Sequence, residues 1–577
     1  MLSQFCGAIK LSLRRLTRTI SVMKLGLSCI GAGGGRIGTA TLTLLLTLGV
    51  YVPAAAAQGL NAAALLKPAT DTWPTYNGDY SGKRYSTLNQ INASNINSLT
   101  LAWAFNTHST SIKATPLEVD GILYFSTPDN VWAVDARFGR QIWHYERKSE
   151  GDHIGHRGLG MYKDLLYFTT PDAHLVCLDA RNGKMRWDVE LADVKLGYFA
   201  TMAPLVVRDH VIVGVSGDIS DVRGYLKSLD PETGSTQWTW YSEPDPGQPG
   251  SETWPKDSDA ILHGGGMTWM TGTYDPELNL LYWGTGNPNP VMVGEGRLGD
   301  NLYTCSIVAL NADTGKLVWH FQPSPHDVHD WDAVQTPVLI NAEFKGNPRK
   351  LLAQASRNGF YFLLDRTNGE YLAGAPFIEQ TWATGLDAHG RPIPKPDTAP
   401  SPDGTLITPG SDGATNWMAP SFDPQTSMFY VTARRVFSIY YRTAGTGKAE
   451  GWGGRDQNLW ASSTIRALDY RTGKVIWNHE TGEGENGAGI LTTAGHLLFS
   501  ADTSGDLLAL NPATGKTLWH LNAGGHMAAS PMTYQLDGRQ YLIAAVQDVL
   551  YAFALPESAA AEAKAQTASA PHSEHSN

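Results

Sequence analysis

One short unit, written seven times, constrains this chain more than any other feature. An apolar run ends at Asp or Asn, three variable residues follow, and Gly closes the turn, usually with a Trp four residues on. The copies are VDARFGRQIW from Val134, LDARNGKMRW from Leu178, LDPETGSTQW from Leu229, LNADTGKLVW from Leu310, LDRTNGEYL from Leu364, LDYRTGKVIW from Leu468 and LNPATGKTLW from Leu510. Their acidic or amide positions (Asp135, Asp179, Asp230, Asn311, Asp365, Asp469, Asn511) lie 44, 51, 81, 54, 104 and 42 residues apart. The two long gaps hold further strand-and-turn units, YDPELNLLYW from Tyr274 and FDPQTSMFYV from Phe422. The Asp or Asn side chain bonds the turn backbone, and Gly takes its left-handed position. One such sheet cannot bury both of its faces, so units of this length stack into a closed array. The expected fold is all-β: a propeller of about eight four-stranded blades, with tryptophans docking between repeats and the chain ends sharing one blade.

Three stretches break the rhythm and are expected as long rim loops: Tyr241–Gly266, Leu386–Gly413 and Tyr441–Ser463. The first 57 residues read as an export signal. A basic leader (Arg14, Arg15, Arg18, Lys24, Arg36) precedes an uncharged run from Ile37 that ends in Ala54–Ala57, a small-residue setting for cleavage. The Ala run favours cleavage over an uncleaved membrane anchor, the other reading of about 20 apolar residues. Residues 58–556 form the propeller in this reading, and the tail from Glu557, residues 557–577, reads as disordered. Net charge is −11 and no Lys/Arg run occurs in the body of the chain, which argues against nucleic acid as a partner. Cys177 and Cys305 remain after the leader, and read as core thiols in preference to a disulfide. No CxxCH occurs, so no c-type haem is attached to this chain.

Several ordered motifs are more specific than the repeats. They are GGGMTWMTGTYDPELNLLYWGTGNPNP from Gly264, LGDNLYTCSIVALNADTGKLVWHF from Leu298, PHDVHDWDAVQ from Pro325, SRNGFYFLLDRTNGE from Ser356 and GATNWMAPSFDP from Gly413. With the opening WPTYNGDYSGKRY from Trp73, they make residues 70–555 resemble the alcohol dehydrogenases that depend on pyrroloquinoline quinone (PQQ). Asn287 offers a hard carbonyl oxygen suited to a Ca²⁺-like cation, and the alternating Asp330 and Asp332 can grip one ion together. His326 and His329 flank the pair, but no third ligand completes a zinc set.

The resemblance implies roles for these and other residues. Trp269 would be the face on which the quinone stacks, and Asp330 the base that takes the alcohol's hydroxyl proton. Asp332 would be the extra acidic ligand of the lanthanide-dependent branch, although a DWD sequence also suits Ca²⁺. Arg357 would bond the quinone oxygens. Arg157, Thr170, Ser216 and Gly217 would bind the cofactor's carboxylates or rim, and Asn416 would contact the quinone. Hydride would pass from a primary or secondary alcohol, or a sugar or polyol, to metal-bound PQQ. Electrons would leave to a separate periplasmic cytochrome c or other acceptor.

Four positions depart from that family pattern. An adjacent cysteine pair is replaced by Gly151-Asp152, a glutamate that touches the quinone by Lys113, a ligand glutamate by Ile219, and a roofing tryptophan by Gly487. Asp218, one residue from Ile219, is the candidate to restore the lost metal carboxylate. These departures leave two other readings open: an inactive relative of the family, or a non-catalytic propeller scaffold of the outer-membrane assembly type.

Overall fold

The computed structural model describes residues 59–557, except 152–154, 218–219, 258 and 444–450. The export-signal and tail assignments therefore lie outside the described residues, apart from Glu557. Among the described residues the one α-helix is the four-residue Ala62–Leu65; nearly everything else regular is strand.

Among the described residues the strands form eight sheets of four or five, plus one two-stranded ribbon, Ala383–Leu386 with Pro392–Pro394. Five sheets are plain antiparallel meanders in chain order. The first runs Leu117–Val119, Ile122–Thr127, Asn130–Asp135, Gln141–Glu146. In the closing sheet the early strand Thr100–Asn106 pairs antiparallel with the last strand, Val549–Ala554, so the two ends of the array share it. The first strands of the sheets are mostly buried, Leu117–Val119, Leu205–Val207 and Thr273–Asp275 along their whole length, whereas fourth strands such as Thr236–Tyr241 are half exposed. The first strands thus lie on the inside.

The repeat's turn has one construction in all seven copies. The Asp or Asn side chain accepts backbone N–H groups two or three residues on, for example Glu232 N at 2.9 Å and Thr233 N at 2.8 Å on Asp230. The closing Gly has φ between +66° and +77° in every copy. It also has no room for a side chain. A Cβ at any of these glycines would lie 2.5–3.0 Å from an aromatic ring of the preceding sheet. That ring is Trp103, Trp143, Trp187, Trp238, Trp319 or Trp477 at six of the turns. Five of these indoles also donate to a carbonyl in the same turn, as Trp143 does to Ala180 O at 2.9 Å. The seventh ring comes from a different residue type. LDRTNGEYL is the copy without Trp, and Tyr361 of its sheet covers Gly473 and donates its hydroxyl to Tyr470 O at 2.8 Å.

One expectation needs correction, and the reading of Trp269 as part of a Gly-rich strand falls with it. Within Tyr441–Ser463 the described residues are largely strand: strands Met428–Arg442 and Gly454–Asp469 pair along their whole length, out to Arg442 opposite Gly454. Alternation in RVFSIYYR buries every second residue and carries the hairpin outward. Trp269 is not in a strand but in an irregular segment, residues 264–272, just before Thr273–Asp275. Cys177 and Cys305 are both buried free thiols, with no disulfide between them.

The topology also explains where site residues can be. Because first and second strands are antiparallel, the start of one and the end of the other lie at the same end of a sheet. Lys113, Arg157, Trp269, Asp330, Asp332 and Asn416 precede first strands. Thr170, Ser216, Gly217, Asn287 and Arg357 follow second strands. Eleven residues scattered over 300 positions are thereby carried to one end of the sheets.

Candidate active site

Asp332 is the hub. Its side chain is 1% exposed, and each carboxylate oxygen is engaged: Oδ2 accepts Trp269 Nε1 at 2.8 Å and Oδ1 accepts Asn287 N at 2.6 Å. Burial pushes this carboxyl up from the ordinary Asp value, against the opposing pull of Arg357 and of the two donors. Arg357 spans the rest. Its Nη1 donates to Asp330 O at 2.6 Å and stands 3.3 Å from Asp330 Oδ2. Its Nη2 lies 3.6 Å from Asp332 Oδ2 and donates to Asn416 Oδ1 at 3.2 Å. Trp269, Asn287, Asp330, Asp332, Arg357 and Asn416 are therefore one connected group.

The remaining candidates sit around it unequally. The Arg157 guanidinium carbon stands 4.7 Å from the Trp269 ring centroid, and that of Arg357 5.6 Å. The Ser216 hydroxyl is buried without a hydrogen-bond partner, beside Gly217 at φ +145°. Thr170 bonds within its own turn, donating to Asp172 and accepting His174 N at 3.0 Å. Asp218 lies outside the described residues, as do Ile219 and Asp152.

A hard cation needs oxygen donors that nothing else has claimed. Asn287 Oδ1 meets this test: it is buried and accepts no hydrogen bond. Among the described residues no group of three or more His, Cys, Asp or Glu side chains is gathered for a metal. A cation here would be held by the mixed set of the Asn287 amide and the two aspartates, with Asp332 sharing oxygens that already accept hydrogen bonds. That is an oxygen set, which suits Ca²⁺ or a lanthanide and not zinc. A flat polyanionic cofactor needs an aromatic floor and cations, and Trp269 with its two guanidiniums provides both.

Sequence reasoning passed over four residues. Asp327, inside the PHDVHDWDAVQ motif, accepts the N–H groups of His329, Asp330 and Trp331 on Oδ2 at 3.2, 2.9 and 3.1 Å. It holds Asp330 in a left-handed conformation, φ +68°. Burial pushes the Asp327 carboxyl up to about 6. The fully buried Arg297 donates to Asp327 O at 2.6 Å and to Pro290 O at 2.9 Å. It thereby ties the arm after Asn287 to the arm before Asp330. Trp417 stands next to Asn416 and packs against the cluster that contains Trp269. Its ring faces Arg434, whose guanidinium carbon is 5.5 Å from the centroid. Asp327 and Trp417 lie in motifs that marked the region; nothing in the sequence around Arg297 or Arg434 signals a role.

An all-β array that gathers guanidiniums, an indole floor and paired carboxylates at one end of its sheets is built as an enzyme with a buried, charge-lined centre. Comparison with known proteins agrees. A family model described as glucose/ethanol/alcohol dehydrogenase, beta-propeller domain, matches residues 73–380. The quinohemoprotein alcohol dehydrogenase of Comamonas testosteroni is 38% identical over 518 residues, 83% of this chain and 73% of that one. The quinoprotein alcohol dehydrogenase PedH of Pseudomonas putida is 35% identical over 541 residues, 87% of this chain and 90% of the other. Among solved structures, the Comamonas enzyme superposes with a TM-score of 0.81, covering 86% of this chain and 83% of that one, at 34% identity. A europium-containing methanol dehydrogenase superposes at 0.78, covering 86% of this chain and all of the other, at 30% identity. A second family model, outer membrane protein assembly factor BamB, matches residues 461–556. That segment contains none of the connected site residues.

This chain belongs to the family of PQQ-dependent alcohol dehydrogenases. It is a quinoprotein oxidoreductase built on a β-propeller.

Proposed function

We propose that the protein is an exported, eight-bladed quinoprotein that oxidises a primary or secondary alcohol, or a polyol, to the carbonyl. The observation that carries this reading is the Asp332 hub, which joins an indole floor, an amide ligand and the Asp330–Arg357 pair in one buried group. Trp269, Arg157, Ser216, Gly217, Thr170 and Asn416 would hold PQQ. Asn287, Asp330, Asp332 and Asp218 would hold Ca²⁺ or a lanthanide ion. When bound, PQQ supplies the two-electron acceptor for the alcohol's hydride and the cation supplies Lewis acidity.

The chain's own residues do the rest. Asp330 takes the alcohol's hydroxyl proton on its carboxylate. Arg357, fixed against Asp330 O and Asn416, keeps a guanidinium where negative charge develops on the acceptor. Asp332 sets the distance between the floor and the Asn287 arm. Asp327 and Arg297 hold the Asp330 segment in place. Electrons pass on to a separate cytochrome c or other acceptor. A cleavable leader over residues 1–57 would place the enzyme in the periplasm; among the described residues no helix is long and apolar enough to cross a membrane. The scaffold reading draws on the match at residues 461–556, which lies apart from the site.

The test is reconstitution. Purified protein supplied with PQQ and CaCl₂ or LaCl₃ should reduce an artificial dye with a panel of alcohols, and Asp330→Ala should abolish this. No turnover and no retained quinone absorbance would leave the scaffold or the inactive relative.

A further inference from the structure

A buried histidine stands next to Arg157 in the chain. His156 is 2% exposed and belongs to the tetrapeptide Gly155-His156-Arg157-Gly158. Both glycines have backbone conformations that side-chain-bearing residues rarely adopt, φ +120° and +143°. A Cβ at Gly155 would lie 2.5 Å from Lys113 Cδ, and one at Gly158 3.1 Å from Thr115 O. The His-Arg pair is therefore slung between two permissive residues, and something else must fix where it points.

The imidazole supplies that lock. Its Nδ1 lies 2.6 Å from Ser126 Oγ and its Nε2 3.2 Å from Thr169 Oγ1. The Thr169 hydroxyl has one proton and donates it to Met202 O at 2.9 Å, so it can only accept from the ring. Nε2 thus carries the ring's proton, and Nδ1 accepts from Ser126. Burial, and then the charge of Arg157, push the ring's pKa down to about 3, which keeps it neutral. Ser126 belongs to strand Ile122–Thr127 of one sheet and Thr169 to Leu165–Thr169 of the next, while Met202 leads into Leu205–Val207 of a third. The chain passes from this ring straight into Arg157, whose N–H donates to Thr201 O at 2.9 Å and whose carbonyl accepts Thr115 N at 3.1 Å. The guanidinium donates to Thr201 Oγ1, and its carbon stands 4.7 Å from the Trp269 ring centroid. One histidine ring joins three sheets at the point where that guanidinium meets the indole floor.

We propose that His156 is a positioning residue of the cofactor site: its ring, bonded to Ser126 and Thr169, holds Arg157 over Trp269, so that a carboxylate of PQQ meets a guanidinium already in place. The inference rests on the PQQ reading above and deepens it. His156 acts through Arg157, since hydroxyl groups engage both of its ring nitrogens. A cation fixed in advance spares the ordering that binding would otherwise have to supply.

The test is equilibrium binding, independent of turnover. Cofactor-free protein in excess CaCl₂ is titrated with PQQ while quenching of tryptophan emission is followed. Losing one charge-assisted hydrogen bond weakens binding by about tenfold to a hundredfold, the range expected for Arg157→Gln. His156→Phe keeps the ring's bulk but loses both bonds, and should bind about tenfold more weakly than wild type. His156→Gln, which keeps a donor for Thr169, should stay within about threefold. In the Arg157→Gln background, His156→Phe should change affinity by less than about twofold, because the group it positions is gone. A ring that only supported the fold would lower the melting temperature without this dependence on Arg157. Circular dichroism checks each variant, and Ser126→Ala, which removes the bond to Nδ1 alone, is read in the same cycle if His156→Phe fails to fold. Wild-type affinity in the substituted proteins, or an equal loss with and without Arg157, overturns the assignment while leaving the cofactor reading intact. A wild-type protein that shows no saturable quenching overturns both.

Discussion

Removing the Asp327 carboxylate should damage both stability and catalysis, by amounts the structure lets one work out. Asp327→Ala strips the acceptor from three consecutive amides, His329, Asp330 and Trp331. A buried N–H left unpaired costs about 1–3 kcal/mol. Asp327, His329 and Trp331 line a cavity of about 910 Å³, from which water reaches the freed groups, so the low end applies, about 3 kcal/mol in total. For a chain of this size that is a fall in melting temperature of roughly 3–6 °C. The catalytic loss should be larger. Asp330 at φ +68° occupies a conformation that costs a non-glycine residue about 1–2 kcal/mol, and its amide bond to Asp327 helps to hold it there. A base displaced by about 1 Å loses rate by roughly a hundredfold. Asp327→Asn is the control, because its carboxamide oxygen can accept the same three N–H groups while its amino group replaces an oxygen that accepts no hydrogen bond. Calorimetry and dye-linked kinetics on the reconstituted enzyme read both effects. An alanine variant that melts within 1 °C of wild type (roughly the error of such a measurement) and keeps its kcat would refute the reasoning. The segment would then owe its shape to Trp331, which packs on Trp382 and donates to Gly410 O at 3.0 Å.

Glu118 is 1% exposed, and burial raises its carboxyl to about 8, so the folded protein holds a proton that the unfolded chain releases near 4.5. Stability from this residue is fully present below about pH 4.5 and is lost as pH rises toward 8. Glu118→Gln should flatten the fall in melting temperature between pH 5 and 8, recovering about 2–4 kcal/mol at the upper end; parallel slopes would contradict this. Gly183→Ala should cost about 2–3 kcal/mol in denaturant unfolding, since the Cβ meets the Trp143 ring at 2.6 Å in a left-handed turn; an unchanged midpoint would remove the docking argument. Arg357→Lys should lower kcat by about a hundredfold or more, because an ammonium cannot reach Asp330 O and Asn416 together; a loss under about fivefold would deny the fork its role.

How much of this was legible in the sequence follows from the range over which each residue acts. The Asp…Gly turns are local, and each copy states its own chemistry. What each turn docks against is not local: the missing Trp in LDRTNGEYL gave no hint that Tyr361 would cover Gly473. Trp269, Asn287, Asp330 and Arg357 stood out because they sit in dense motifs, and the structure brings them into one group. The Tyr441–Ser463 segment was misread because it breaks the repeat rhythm, whereas toward the end of the paired strand Met428–Arg442 every second side chain turns inward. Arg297 and Arg434 were invisible for a further reason. A lone arginine in a sequence carries no sign that it will be fully buried, and their value comes from carbonyls and rings in other segments, Pro290 and Asp327 for Arg297 and Trp417 for Arg434.

The central claim is that Asn287, Asp330 and Asp332 enclose a cation beside Trp269. Anomalous diffraction from crystals grown with PQQ and a lanthanide tests it directly. A single strong peak should lie about 2.3–2.6 Å from Asn287 Oδ1 and the Asp330 carboxylate, the range for hard oxygen-bound ions. A fully occupied peak elsewhere, with none between these side chains, would contradict the account.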